Sequence, residues 1–200
     1  MFVKMCGMTK VQDVDVACQN NVDAIGFIFA DSPRRVSIEK ARGLSNPVNG
    51  PLKVGVFVNE EIDTIRQIRE TCNLDIIQLH GEESPDFCQS LGGPIFKAFR
   101  AKDEHVIQRF SDYPSDVKIL FDSWSPSLVG GTGRQIDFNI LDKINDFSRI
   151  ILAGGLGLEN IQEIVNRYHP FGVDINSKVE KSPGIKDHSK IINVMQLLKS

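Results

Sequence analysis

A short run rich in β-branched and aromatic residues recurs eight times along this 200-residue chain, and each time a longer amphipathic segment follows it. The runs are FVKMCG (2–7), AIGFIF (24–29), KVGVFV (53–58), IIQLHG (76–81), IFKAFR (95–100), KILFDS (118–123), RIILAG (149–154) and GVDINS (172–177). Their starts are 22, 29, 23, 19, 23, 31 and 23 residues apart, about what one strand, one helix and two short loops need. Most runs are apolar throughout rather than alternating, as in parallel strands buried on both faces. The expectation is an α/β fold, a compact (β/α)8 barrel with short loops, forming one domain over residues 1–200. The alternative is an open doubly wound sheet, which seldom reaches this many strands with a helix after each.

The segments between the runs carry helix signals. Thr9 with Gln12 makes a capping box, followed by Val11, Val14 and Cys18 near one face. Asn59 is a candidate cap for a helix carrying Ile62, Ile65 and Ile68, and Ser84–Pro85 puts proline at a first helical position. Ile191, Val194, Met195 and Leu198 follow the i, i+3, i+4, i+7 pattern of a C-terminal helix.

Several function classes are disfavoured. A net charge of −3 and a pI near 5.8 argue against a nucleic-acid surface, which needs a basic face. No stretch approaches the roughly 18 apolar residues of a membrane span, and Lys4 and Lys10 interrupt any signal-peptide core. The four cysteines (Cys6, Cys18, Cys72, Cys88) form no C-x-x-C pair and are too few for a disulfide framework, so neither zinc nor redox chemistry is expected. The chain reads as cytoplasmic, with reduced thiols.

In a barrel the chemistry sits at the C-terminal ends of the strands. Those ends hold Cys6–Gly7, then SPRRV (32–36) after the second run, His80, Asp122, a long connection containing GGTG (130–133), LAGGL (152–156), and Asp174 with Asn176 and Ser177. Glycines after strand 7 and small polar residues after strand 8 stand where barrels build phosphate sites from backbone N–H groups. Either stretch alone is a tight turn by default; side by side they favour an anion site. Each side chain also has a plainer reading. A lone strand-end cysteine is a small buried hydrophobe, Asp122 caps the next turn, and Arg34, beside Arg35, is a solvated loop cation. His80 reads as a hydrogen-bonded packing residue near the ligand, His105, His169 and His188 as surface, and Cys18, Cys72 and Cys88 as helix-borne core.

The segments KMCGMT, SPRRV, VGVFV, QLHG, LFDS…GGTG, LAGGL, GVDINSKVE and PGIKD, in that order from residue 4 to about residue 190, resemble the phosphoribosylanthranilate isomerase family. The resemblance implies an Amadori rearrangement of N-(5-phosphoribosyl)anthranilate to 1-(2-carboxyphenylamino)-1-deoxyribulose 5-phosphate in tryptophan biosynthesis, with no metal or organic cofactor. It implies Cys6 as general base and Asp122 as general acid. It implies Arg34 on the anthranilate carboxylate, His80 beside the substrate, and Gly131, Gly154, Gly155, Leu156, Asn176 and Ser177 on the phosphate, with Asp174 organising the strand 8 loop. The expected partner is a small phosphorylated molecule, with no nucleic acid and no membrane, bound by a monomer or homodimer. Lys178 stands where the family carries glycine, which would strain the backbone if that position needs a positive φ. Arg134 and Phe138 stand where lysine and tryptophan are common. Competing readings are the related phosphoribosyl aminoimidazole isomerase of histidine biosynthesis, which typically uses two carboxylates where this chain has Cys6, and a non-catalytic phosphate-binding barrel. A flavodoxin-like module lacks its early glycine-rich loop, since KMCGMT holds one glycine. Negative charge on the substrate disfavours a thiolate, so a base at Cys6 requires something positive nearby, for which the helix-terminal or nest amides of the loop after strand 1 are the candidates.

Overall fold

A computed structural model describes residues 1–101, 105–122 and 138–199. Its strands are β1 (Phe2–Met5), β2 (Ala24–Ile28), β3 (Leu52–Phe57), β4 (Ile76–Leu79), β5 (Ile95–Arg100), β6 (Lys118–Asp122), β7 (Ile150–Ala153) and β8 (Gly172–Ile175). All eight pair in parallel in chain order and close into a barrel, each lying within or one residue from the run that predicted it. The open-sheet alternative is excluded by the last junction, where Phe2, Val3, Lys4 and Met5 of β1 face Gly172, Val173, Asp174 and Ile175 of β8. A Cβ on Gly172 would lie 2.5 Å from the Phe2 carbonyl oxygen, so glycine is what lets the two strands meet.

Successive residues of a strand face opposite sides, and the barrel sorts them into two cores. The outward set (Val3, Met5, Ile25, Phe27, Ile77, Phe121 and their like) packs under the helices. The inward set is smaller and includes an apolar cluster of Ala24, Val54, Ile76, Phe96, Ala98, Leu120, Ile151 and Ala153. At the N-terminal mouth Phe2 meets Phe96 edge-on at 5.9 Å and stacks on Phe171 at 5.6 Å. Other inward positions are polar, with Lys4, Gln78 and Asp174 buried.

The helices among the described residues are α1 (Val11–Gln19), α2 (Ile38–Ser45), α3 (Ile62–Thr71), α4 (Pro85–Leu91), α5 (His105–Gln108), α6 (Phe138–Leu141), α7 (Ile161–Tyr168) and α8 (His188–Lys199). Ser84 accepts from the Phe87 amide with Pro85 in the first turn, as the sequence predicts. The expected faces are buried in α3 (Ile65, Ile68) and α8 (Ile191, Val194, Met195). Two predicted caps are not formed. Lys10 occupies the N-cap of α1 and gives no side-chain bond, because the Thr9 hydroxyl donates instead to the carbonyl of Gly184. Asn59 sits at φ 50° ahead of α3 and accepts from the Glu82 amide at 2.7 Å; Glu61 is the N-cap there, without a side-chain bond. Val11 is 51% exposed, off the buried face of α1. Gly184 belongs to an unanticipated feature, an antiparallel hairpin of β9 (Glu180–Ser182) and β10 (Ile185–Lys186) folded over the mouth after β8.

Candidate active site

Strand β1 delivers two side chains to the interior. Lys4 and Cys6 are two residues apart and share the inward face, while Val3 and Met5 face the helices. The chain leaves β1 through Gly7 at φ 76°, where a Cβ would stand 2.8 Å from Cδ of Arg34 and 2.9 Å from Oδ1 of Asn176. Room for the sulfur comes from β2: a Cβ on Gly26 would lie 2.8 Å from Sγ of Cys6. Lys4 faces Asp174 across the β1–β8 register, and Nζ lies 2.9 Å from Oδ2 with both side chains buried. Nζ, the other Asp174 oxygen (Oδ1) and Oε1 of Gln78 are all buried without a hydrogen bond of good geometry. Burial pushes the Asp174 carboxyl up against the opposing pull of Lys4 and Lys186. Burial likewise pushes the Cys6 thiol up, with Lys4 the strongest opposing charge.

A cavity of about 310 Å³ opens above these groups. Cys6, Arg34, His80, Asp122, Gly154, Gly155, Leu156, Asp174, Asn176 and Ser177 all line it, so the strand-end residues singled out in the sequence are brought together. Gly131, the rest of GGTG and Arg134 lie outside the described residues. A larger cavity of about 440 Å³ lies beyond His80, above the ends of β3 to β5. It lacks both Cys6 and Asp122, so the smaller one is the candidate for the chemistry.

Arg34 is held rather than loose. Its Nε lies 2.9 and 3.1 Å from the two Glu180 oxygens and its Nη2 2.6 Å from Oε2. That carboxylate also takes Lys186 at 3.1 Å, and Lys186 reaches Oδ1 of Asn176 at 2.9 Å. The hairpin therefore places one carboxylate between two cations, beside the loop that follows β8. Burial opposes ionisation of Glu180, but the Arg34 hydrogen bonds and the Lys186 charge win and hold it below the usual carboxylate range. The Nη1 edge of Arg34 takes no acceptor among the described residues, which leaves a donor edge for a ligand.

The loops after β7 and β8 form the other wall. Gly154 and Gly155 adopt φ of 92° and 70°, a conformation that favours glycine. Asn160 shapes this turn, accepting from the Gly157 amide at 2.9 Å and donating to the Gly155 carbonyl at 3.0 Å. Among the described residues the amides of Gly154, Gly155, Leu156, Asn176 and Ser177 find no protein acceptor. Unpaired amides from adjacent loops make a concave anion receptor. Lys178 adopts an ordinary φ and pairs with Glu159, so the strain feared at that position does not arise. His80 is driven down to about 4, by burial first and then by Arg100, Lys4 and Lys97. It is neutral at physiological pH, and its Nδ1 pairs with Nε2 of Gln78 at 3.3 Å.

The sequence model of the N-(5'-phosphoribosyl)anthranilate (PRA) isomerase family matches residues 3–197. The chain belongs to that family. A PRA isomerase from Pelobacter propionicus is 40% identical over 98% of this chain and 95% of that protein, and one from Syntrophomonas wolfei is 38% identical over 97% of each. The crystal structure of the Thermotoga maritima PRA isomerase superposes with a TM-score of 0.89 at 33% identity, covering 100% of this chain and 98% of that one. A PRA isomerase crystallised with reduced 1-(o-carboxyphenylamino)-1-deoxyribulose 5-phosphate gives 0.84 at 32% identity, covering 100% and 98%.

Four polar residues of this PRA isomerase site were not singled out from the sequence: Lys4, Gln78, Glu180 and Lys186. For Lys4 a signal was present, since a lysine two residues before Cys6 in a strand buried on both faces must share its inward face. Gln78 carries the same signal two residues before His80. Glu180 and Lys186 had none, because a two-residue strand facing a three-residue one leaves no periodicity to read.

Proposed function

We propose that this chain isomerises N-(5'-phosphoribosyl)anthranilate to 1-(2-carboxyphenylamino)-1-deoxyribulose 5-phosphate in tryptophan biosynthesis, with Cys6 as general base and Asp122 as general acid. The observation that carries the reading is that Cys6 and Asp122 line one cavity whose third wall is a set of unpaired amides. A sugar phosphate anchored by those amides has its ring end directed away from β7 and β8, toward the acid and the base.

The chemistry consists of proton transfers. Asp122 gives its proton to the furanose ring oxygen as the C1–O bond breaks, and the nitrogen lone pair closes a C1=N iminium. Cys6 as thiolate then takes the C2 proton, and the C–H electrons form a C1=C2 enolamine while the iminium is neutralised. Loss of the enol proton and protonation at C1 yield the ketone. The electrons balance within the substrate, so no redox partner is required. The phosphate is held by the amides of Gly154, Gly155, Leu156, Asn176 and Ser177. The open edge of Arg34 takes the anthranilate carboxylate while Glu180 fixes the other edge. Gly131 is assigned to the phosphate loops on resemblance alone. Residues 1–200 act as one catalytic domain, in the cytoplasm, as a monomer or homodimer, on a small phosphorylated substrate and without nucleic acid or membrane.

The test follows the fluorescence loss of freshly made phosphoribosylanthranilate. Cys6→Ala and Asp122→Asn should each lower turnover by about 10²–10⁴-fold while circular dichroism stays native. Near-normal turnover in either variant removes that residue's role. Preference for the aminoimidazole substrate of histidine biosynthesis would remove the substrate assignment.

A further inference from the structure

Lys4 takes no part in the proton transfers above, yet it is among the largest fully buried side chains of the molecule. The inward set around it includes alanine, valine, isoleucine and phenylalanine. An ammonium in such a place forfeits several kcal/mol of hydration unless its surroundings answer it. Here the answer is partial: Asp174 sits 2.9 Å away, but neither Nζ nor Oδ1 of Asp174 completes a hydrogen bond of good geometry. The ammonium stands beside the sulfur. A Cβ on Gly26 would lie 2.8 Å from Sγ of Cys6 and 3.3 Å from Nζ of Lys4, so both atoms border the space that this glycine leaves open.

We infer that Lys4 is the positioning residue of the base, its buried ammonium serving as the counter-charge that keeps Cys6 available as a thiolate under the substrate. The inference rests on the reading of Cys6 as base. Charged and titratable groups face Cys6 from every side: Lys4 from its own strand, Asp174 from β8, Lys186 from the hairpin, Arg34 from the loop after β2, and His80 and Asp122 across the cavity. Arg34 and Lys186 are both engaged by Glu180, so their charge is largely answered before it reaches the sulfur. Lys4 shares only Asp174. Burial pushes the thiol up, Lys4 is the largest pull downward, and Asp174 works against that pull. Burial also draws the Lys4 ammonium down, but Asp174 and Cys6 more than restore it, so Lys4 stays protonated as the sulfur ionises. In the catalytic step the thiolate gains the C2 proton and Lys4 keeps all of its own.

The decisive measurement is the pH dependence of Cys6 alkylation by iodoacetamide, read peptide by peptide by mass spectrometry. The thiolate displaces iodide, so the rate follows the ionised fraction. Lys4→Met should raise the midpoint by about one pH unit or more, Lys4→Arg should restore most of the shift, and Asp174→Asn should lower the midpoint. Turnover of Lys4→Met at neutral pH should fall about tenfold and recover on raising the pH, with KM changed less than about threefold. An unmoved midpoint in folded Lys4→Met overturns the inference. If that variant does not fold, Asp174→Asn decides, and a midpoint that rises or stays overturns it. Because alkylation reads the thiol without turnover, it is independent of the base assignment, which falls only if Cys6→Ala turns over normally.

Discussion

At the scale of single residues, the site is organised by charges that are paired but not fully satisfied. Glu180 grips one edge of Arg34 and shares itself with Lys186, which turns a flexible cation into a fixed fork. Removing the charge while keeping the shape separates positioning from chemistry. Glu180→Gln should raise KM about tenfold, equivalent to about 1.4 kcal/mol of binding, and lower kcat far less. Steady-state kinetics on phosphoribosylanthranilate check this, and an unchanged KM would mean that Arg34 needs no such holding. The same residues show how legibility varies within one site. Cys6, His80 and Asp122 stand at the ends of obvious apolar runs, so position drew notice to them and the family resemblance supplied their roles. Lys4 was equally visible by period but reads as an ordinary strand lysine until its neighbours are known. Glu180 and Lys186 become meaningful only once a hairpin folds back onto the barrel mouth.

At the scale of elements, the connections are fixed by buried polar ties as much as by caps. After β4 the chain turns around Glu83, whose side chain is 2% exposed. It accepts from the Asn59 amide at 2.8 Å and the Gly81 amide at 2.9 Å, and pairs with Lys97 of β5 at 2.8 Å. Burial disfavours its charge, but Lys97 and the backbone amides prevail and hold Glu83 below the usual carboxylate range. A group depressed in the folded state contributes stability above its unfolded pKa, roughly 4.3, and loses it as pH falls through the lower folded value. Glu83→Gln should therefore cost about 3 kcal/mol at pH 7 and flatten the acid limb of stability, as measured by urea midpoints between neutral and acid pH. An acid limb as steep as the wild type's would assign that limb to other carboxylates. Such ties explain why strands were easier to read than caps. An apolar run is buried wherever it goes, whereas the Thr9 hydroxyl had a local and a distant acceptor on offer, and Gly184 won. Asn59 likewise serves the loop after β4 rather than its own helix. Ser84 had no such competitor, and there the local rule held.

At the scale of the whole molecule, the ring depends on one junction between the first strand and the last. Gly172→Val would drive a branched side chain into the Phe2 carbonyl, 2.5 Å from where its Cβ must stand. We expect a loss of about 3 kcal/mol, or roughly 6–12 °C in Tm for a chain of this size, with β1 and β8 losing amide protection first in hydrogen exchange. An unchanged Tm would show the junction to be slack. The pairing also has a meaning in time. Cys6 leaves the ribosome well over 150 residues before Asp174 and Lys186. At about 5–20 residues per second that interval is roughly 10–30 s. Through it, the nucleophile travels without the strand, the ion pair or the hairpin that will enclose it. The thiol is thus most open to oxidants and electrophiles during synthesis, and closing the ring is what ends that exposure.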